Sequence, residues 1–419
     1  MKINEIKTPE FLRRLTVVYG EEAALQQERF LKLAEAYEKD FKADADLRFF
    51  SAPGRTEVGG NHTDHNNGKV LAAAVNLDAV AAVEARNDGI ICVKSEGYDE
   101  HKVDTSNFSI VDEEEGTSLA LIRGICAKLK ENGWVIGGFN ASVTSSVLSG
   151  SGLSSSAAYE VLICAVINHL YNDGKIGAVE IAQVSQYAEN VYFKKPCGLM
   201  DQTACSVGGF VKIDFENTNA PVIEKVDFDI AKHGYNLCIV DTGGNHADLT
   251  DDYAAIRVEM NSVAEFFGKK VLRQVDEKDV FENIGEIRTK TGDRAIERAI
   301  HFYNENKRVE RLAAALATGC FDEFKAAIIE SGNSSFMYNQ NCFTLSAPES
   351  QPVALALCIA EELLKGKGAY RVHGGGFAGT IQAFVPVEET DAFVGAMKKV
   401  FGENSCYILK VRSHGGCEI

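Results

Sequence analysis

Helical and strand-like spacings of apolar residues alternate along this chain. Residues 8–42 read as helical, with Thr8 as a cap, Pro9 suited to the first helical position and Gly20 separating two helices. RFFSA (48–52) reads as a strand that ends at the Pro53-Gly54 turn. VLAAAVNLDAVAAVEAR (70–86) is apolar and partly β-branched, which suggests buried strand pairs, although its alanines also allow helix. GIICVKSE (89–96) repeats the strand signal, VDEEEG (111–116) is a solvated loop, and a helix is predicted over 118–132. FNASVTSSV (139–147) alternates like a strand and runs into LSGSGLSSSAA, after which an apolar-periodic segment continues to Tyr171. That order is strand, glycine-rich loop, helix. Another helix is expected over 177–193, strand signals over 207–241, and mainly helix from 246 to 365. AYRVHGGGFAGTIQAFVP (369–386) reads as strand, glycine turn, then strand or helix. No repeat or low-complexity linker interrupts the chain, and a boundary near 210 divides it into two domains, 1–210 and 211–419.

Composition narrows the function classes. The chain has 419 residues, enough to bury a sizeable core without disulfides or structural metal. Its net charge of −17 argues against nucleic acid and anionic membrane surfaces as partners. An enzyme for nucleotides would need local positive charge or backbone amides against that background. The 11 cysteines form no C-x-x-C pair, and the opening MKINEIKTPEFLRRL contains no apolar run suited to a signal peptide. A cytoplasmic protein in a reducing compartment is expected.

Four segments carry chemistry. APGRTEVGGNHTDHNNGKVL (52–71) packs an arginine, two histidines, an aspartate and three asparagines into a glycine-rich stretch. This suits a small ligand with many hydroxyls, with Arg55 able to hold phosphate, and a polar surface loop is the plain alternative. Metal binding through His62, Asp64 and His65 is a third reading, though their spacing fits neither H-E-x-x-H nor a zinc finger. LSGSGLSSSAAYEV (148–161) places Gly150 and Gly152 ahead of serines that open a helix, a phosphate-favouring arrangement that is not a Walker A loop. HGGGFAGT (373–380) is by default a tight turn. In YAENVYFKKPCGLMDQTACSVGG (187–209), Asp201 stands in an apolar context and Glu189 near a helix end. Base and metal ligand are possible roles for these two, beside the ordinary ones of cap and ion-pair partner.

Taken in order, the four segments resemble the GHMP kinase superfamily, within it the galactokinase branch. GRTEVGGNHTDHNNG is similar to the first motif of that branch, GSGLSSSA to the second and GGGFAG to the third, and CGLMDQ fits its C-G-x-M-D-Q. The resemblance spans 50–385. It implies an α+β, two-domain GHMP kinase fold, a ribosomal S5-like N-terminal domain and a C-terminal domain with a ferredoxin-like unit, and an active site between them. It implies ATP-dependent phosphorylation of galactose at the anomeric hydroxyl. Asp201 then matches the catalytic aspartate and Arg55 the arginine beside it. Gly150, Ser151, Gly152, Leu153, Ser154, Ser155 and Ser156 match the ATP loop, with Ser155 and Glu189 toward Mg2+. Asn61, His62, Asp64, Gly198 and Tyr253 match sugar-contacting positions, Tyr253 within the looser HADLTDDYAAIR. The implied partners are a small sugar and ATP, with no nucleic acid and no membrane, and the chain is expected to be a monomer.

The departures fall on the sugar side. Asn61 stands where the branch has glutamate, Glu57 where it has asparagine, His65 for tyrosine, Gly59 for isoleucine and Ala378 for glycine. Asn61 could still bond a 6-hydroxyl. It also removes a charge that would repel a C6 carboxylate, and a protonated His65 would favour one, so galacturonate is the alternative substrate. N-acetylgalactosamine and L-arabinose are further options, and a non-catalytic sugar and ATP sensor is the reading from another class.

Overall fold

The structure is a computed structural model, and it describes residues 1–147, 152–244 and 249–419. The strands in chain order are β1 (Arg48–Gly59), β2 (Lys69–Arg86), β3 (Ile90–Ser95), β4 (Glu100–Asp104), β5 (Gly138–Ser145), β6 (Phe210–Asp214), β7 (Val222–Val226), β8 (Tyr235–Asp241), β9 (Ala369–His373), β10 (Thr380–Pro386), β11 (Cys406–Leu409) and β12 (Cys417–Glu418). They form two sheets. The larger runs β12-β1-β2-β5-β3-β4, with β6 and β7 attached through the first half of β2. Among the described residues, only β3 and β5 in it pair parallel. The smaller is antiparallel in the order β11-β8-β10-β9.

The alanine-rich stretch is one continuous strand, β2, and its burial explains why. Ala79, Ala81 and Val83 face one apolar cluster, while Val80 and Ala82 face another. A strand covered on both sides loses the polar alternation that marks a half-exposed one, so its sequence reads as continuously apolar. The two helices before β1, Pro9–Tyr19 and Ala23–Asp40, supply the second cover through edge-on contacts among Phe11, Phe30 and Phe49 with ring centroids 5.4–5.8 Å apart. Thr8 caps the first helix as expected, accepting from Phe11 N–H. On the other side lies the helix Ser155–Tyr171, which packs on β1, β2 and the helices Ala178–Tyr187 and Met200–Val207 and is therefore apolar nearly all round.

β1 does not end at Pro53-Gly54. It continues to Gly59, and the pairing with β2 shifts register between Pro53 and Arg55 and again between Glu57 and Gly59. Proline removes a ladder donor and is tolerated in a strand at such an irregularity, so Pro53 bends β1 where a turn was expected. Because of this continuation, Thr56 and Glu57 reach the second sheet: Gln382 Nε2–H donates to Thr56 Oγ1 at 2.6 Å and to Glu57 O at 3.1 Å.

The 369–386 segment is strand, turn, strand, paired from Thr380 opposite His373 to Phe384 opposite Ala369. The expected division after residue 210 falls at the first residue of β6, which pairs with β2. The long helix Asp293–Thr318 packs against β1, β2 and the helix Phe321–Ser334, which in turn packs on β9 of the smaller sheet. Among the described residues no helix is long and apolar enough to cross a membrane, and the cysteines are free thiols.

Candidate active site

β1 carries Arg55 up to the loop that precedes the helix Ser155–Tyr171. Arg55 N–H donates to Leu153 O at 3.0 Å. Gly54 is glycine because a Cβ there would stand 2.8 Å from that same carbonyl. The buried Arg55 guanidinium donates Nε–H to Asp201 Oδ1 at 2.6 Å and Nη2–H to Oδ2 at 2.5 Å, with Nη1 on Gly152 O. Ser154 Oγ–H donates to Asp201 Oδ2 at 2.7 Å. Asp201 also sits in the first turn of the helix Met200–Val207, where the backbone dipole favours an anion. Burial pushes its pKa up, but Arg55 and Ser154 outweigh burial and hold it below the usual carboxylate range. The result is a carboxylate ionised at neutral pH, backed by a bidentate guanidinium and 27 % open to the cleft.

A second carboxylate faces the same helix end. The helix Ala178–Tyr187 widens into a π-helical turn, Ala188–Tyr192, that presents Glu189. Glu189 Oε1 accepts from Ser156 Oγ–H at 3.2 Å and from Lys195 Nζ at 2.9 Å, and Oε2 accepts from Gln202 Nε2–H at 2.8 Å. Gln202 also reaches Glu160 Oε2 at 3.2 Å, while Glu160 Oε1, fully buried, has no hydrogen-bond partner among the described residues. Burial and the charge of Glu189 push Glu160 well above the usual carboxylate range. Hydroxyl and carboxylate oxygens at a helix N-terminus fit Mg2+, which takes one or two carboxylates and otherwise water and phosphate oxygens. Ser155 opens the helix, and it is the Ser156 hydroxyl that lies on Glu189. Gly150 and Ser151 lie outside the described residues.

The expected sugar-side residues gather opposite Asp201. His62, in the left-handed region at φ 57°, sets its Nε2 2.9 Å from Gly375 O. Burial lowers its pKa to about 4, and burial likewise keeps His65 neutral. Asp64 is pushed upward by burial and by the charge of Asp201. Gly198 lies so close that a Cβ there would collide with Asp64 Oδ2. Tyr253 donates its hydroxyl to Gly376 O at 2.8 Å and packs edge-on against Phe377.

Asn61 is different. It is fully buried, and its Nδ2 donates to Glu57 Oε1 at 2.9 Å and to Gly374 O at 2.7 Å. Its Oδ1 accepts from Asn341 Nδ2–H at 2.9 Å and Ser335 Oγ–H at 3.2 Å. The side chain gives both N–H groups and its oxygen to other protein groups.

Comparison with known proteins agrees with this geometry. Residues 35–85 match the galactokinase galactose-binding signature and 120–209 the GHMP kinases N terminal domain. Over 359 residues the chain is 33 % identical to the galactokinase of Streptomyces coelicolor, covering 84 % of this chain and 88 % of that one. The chain belongs to the galactokinase family. The galactokinase of Actinobacillus pleuropneumoniae serotype 5b is 30 % identical over 367 residues, with the same two coverages. The fold is that of the crystal structure of Lactococcus lactis galactokinase complexed with galactose, at a TM-score of 0.78 and 23 % identity over 93 % of this chain and all of that one. The Methanococcus jannaschii mevalonate kinase shares the fold more distantly, with a TM-score of 0.62 and 13 % identity over 87 % of this chain and 98 % of that one. The α+β architecture is therefore the GHMP kinase fold, and ATP is the phosphoryl donor that membership implies.

Two of the departures from the galactokinase pattern in the first motif, those at positions 57 and 61, touch each other. The pattern has asparagine then glutamate at positions 57 and 61, and this chain has Glu57 then Asn61, hydrogen-bonded to each other. The amide and the carboxylate are kept but exchanged. Glu57 in its new place pairs with the fully buried Arg371, Nη2 to Oε1 at 2.7 Å.

Several site residues escaped sequence reasoning. Arg371 and His373 flank the third glycine motif, and His373 accepts from Glu57 N–H through Nε2 at 3.3 Å while its Nδ1 lies 2.8 Å from Thr380 Oγ1. Glu160, Gln202 and Lys195 stood inside quoted motifs without a role. The available signal was charge or amide groups embedded in otherwise apolar, glycine-rich runs.

Proposed function

We propose that this galactokinase family member transfers the γ-phosphoryl group of ATP to the anomeric hydroxyl of galactose. The observation that carries the reading is the Arg55–Asp201 pair, held at the end of the helix whose free N–H groups favour phosphate. Ionised Asp201 orients the anomeric O–H and accepts its proton as that oxygen bonds to phosphorus and the bond to the bridging oxygen of ADP breaks. Arg55 keeps Asp201 ionised and lends positive charge to the phosphoryl oxygens. Mg2+, held by Glu189 and a serine of the loop, would neutralise phosphate charge when bound. His62, Asp64, Gly198 and Tyr253 wall the sugar, and little covalent chemistry is asked of the protein beyond positioning.

The charge argument for galacturonate loses its support. Burial keeps His62 and His65 neutral, and Arg371 is paired with Glu57, so none of these three offers a charge to a C6 carboxylate. ATP consumption with Mg2+ should be fastest on galactose in a panel that includes galacturonate, N-acetylgalactosamine, L-arabinose and glucose. Preference for another sugar would overturn the substrate. Asp201→Asn should lower turnover by about 10²–10⁴-fold, with galactose binding by calorimetry retained. Undiminished turnover would remove the role given to Asp201.

A further inference from the structure

Lys195 stands at the mouth of the proposed nucleotide site with its backbone fixed and its side chain largely exposed. Its N–H donates to Glu189 O at 3.1 Å. The segment after it is stapled by Asn190, which accepts from Cys197 N–H at 2.6 Å and donates to Cys197 O at 3.3 Å. Lys194 ahead of it is held in the left-handed region at φ 66°, a conformation that aims the next residue and is uncommon outside glycine. The Lys195 side chain is nevertheless 60 % exposed and ends on a carboxylate that is only 3 % exposed.

The oxygen it holds is the informative point. Lys195 Nζ and Ser156 Oγ meet the same atom, Glu189 Oε1. Glu189 and a serine of the loop are the groups proposed to hold the metal. A metal ion and an ammonium cannot share this position, because both would need the same oxygen and would repel each other. The helix N-terminus behind Ser156 carries the positive end of the dipole, so it is the Glu189 carboxylate that draws the ammonium there. Lys195 also lies within electrostatic reach of Asp201 and adds to the charge that holds that carboxylate ionised.

We propose that Lys195 is a tethered cation that occupies Glu189 in the nucleotide-free protein and, displaced by Mg2+, turns to the phosphates of the nucleoside triphosphate. Its fixed backbone and flexible stem keep the freed ammonium beside the helix end where the phosphates bind. The chain thereby carries its own competitor for the metal, and the metal's arrival with the nucleotide converts that competitor into a phosphate contact. The inference rests on the reading of Glu189 as the metal carboxylate.

The test uses the full chain and measures Mn2+ binding without nucleotide by the EPR signal of the free ion, then the KM for ATP. Lys195→Met should bind Mn2+ about threefold to fivefold more tightly, the scale of an exposed ion pair removed from competition. The same variant should raise the KM for ATP about tenfold while galactose binding by calorimetry is unchanged, and Lys195→Arg should recover most of the loss. Opposite changes in metal and nucleotide affinity are a pattern that simple damage to the fold does not produce. Mn2+ affinity unchanged or weakened in Lys195→Met overturns the competition, and an unchanged KM for ATP overturns the phosphate contact. Glu189→Gln separates the two layers of argument. If it abolishes Mn2+ binding while Lys195→Met does nothing, only the role of Lys195 fails, and if Mn2+ binding survives it, the metal assignment falls and the inference with it.

Discussion

Replacing Asn61 by glutamate, the residue the family pattern has there, should damage this protein rather than restore it. Asn61 is fully enclosed, and one of its two donated hydrogen bonds goes to the carboxylate of Glu57 at 2.9 Å. A glutamate at 61 removes that donor and the one to Gly374 O, each worth about 1–3 kcal/mol when the acceptor is left buried. It also sets two carboxylates against each other around a single guanidinium, Arg371, so one must take a proton or remain an uncompensated buried charge, at about 3–5 kcal/mol. These losses overlap, and about 4 kcal/mol is expected for N61E. The exchanged pair E57N/N61E keeps one amide and one carboxylate in the same polar layer, and it should recover at least half of that loss. Urea unfolding followed by circular dichroism would measure N61E, E57N and the double variant, and the double-mutant cycle should give a coupling energy above about 2 kcal/mol. An N61E protein as stable as the parent, or a double variant no better than N61E, would refute the view that Asn61 and Glu57 form one exchanged unit.

Other expectations follow from the same geometry. Arg55→Met removes the group that offsets burial at Asp201, so the acid limb of the kcat/KM profile should move up by about 1–3 pH units, and an unmoved limb would clear Arg55 of that role. Glu305 is fully buried, and although burial opposes its ionisation, Arg308 and His301 bring its pKa down to about 2. Because the folded value is depressed, its contribution of about 3 kcal/mol is present above the unfolded value near 4.5 and is lost as pH falls through the folded one. Glu305→Gln should flatten that part of the stability–pH curve in urea titrations. Gly198→Ala drives a methyl group into Asp64, so the KM for galactose should rise about tenfold with the KM for ATP unchanged; equal effects on both would argue for general distortion.

Much of the site was legible because its chemistry is local. A cap, a proline at the first helical position, or a glycine loop running into serines needs only neighbours in the chain to act, and such features were read correctly at Thr8 and Pro9. The four polar segments were also visible as places where charge sits in glycine-rich or apolar runs. What short range could not reveal is which groups meet. Arg55 finds Asp201 across 146 positions and Arg371 finds Glu57 across 314. Both pairings exist because β1 runs on past Pro53 to the second sheet, where local preference suggested a turn. The alanine-rich stretch became a strand because both its faces are covered, a fact that resides in the helices and strands around it. Asn61 could be judged from its type alone as a group able to bond a sugar, and only the surrounding Glu57, Gly374, Ser335 and Asn341 turned its hydrogen bonds inward. Residue identity sets what a side chain can bond, whereas the partner is chosen by whichever distant segments the packed sheets bring within 3 Å, because a buried polar group must be satisfied where it lies.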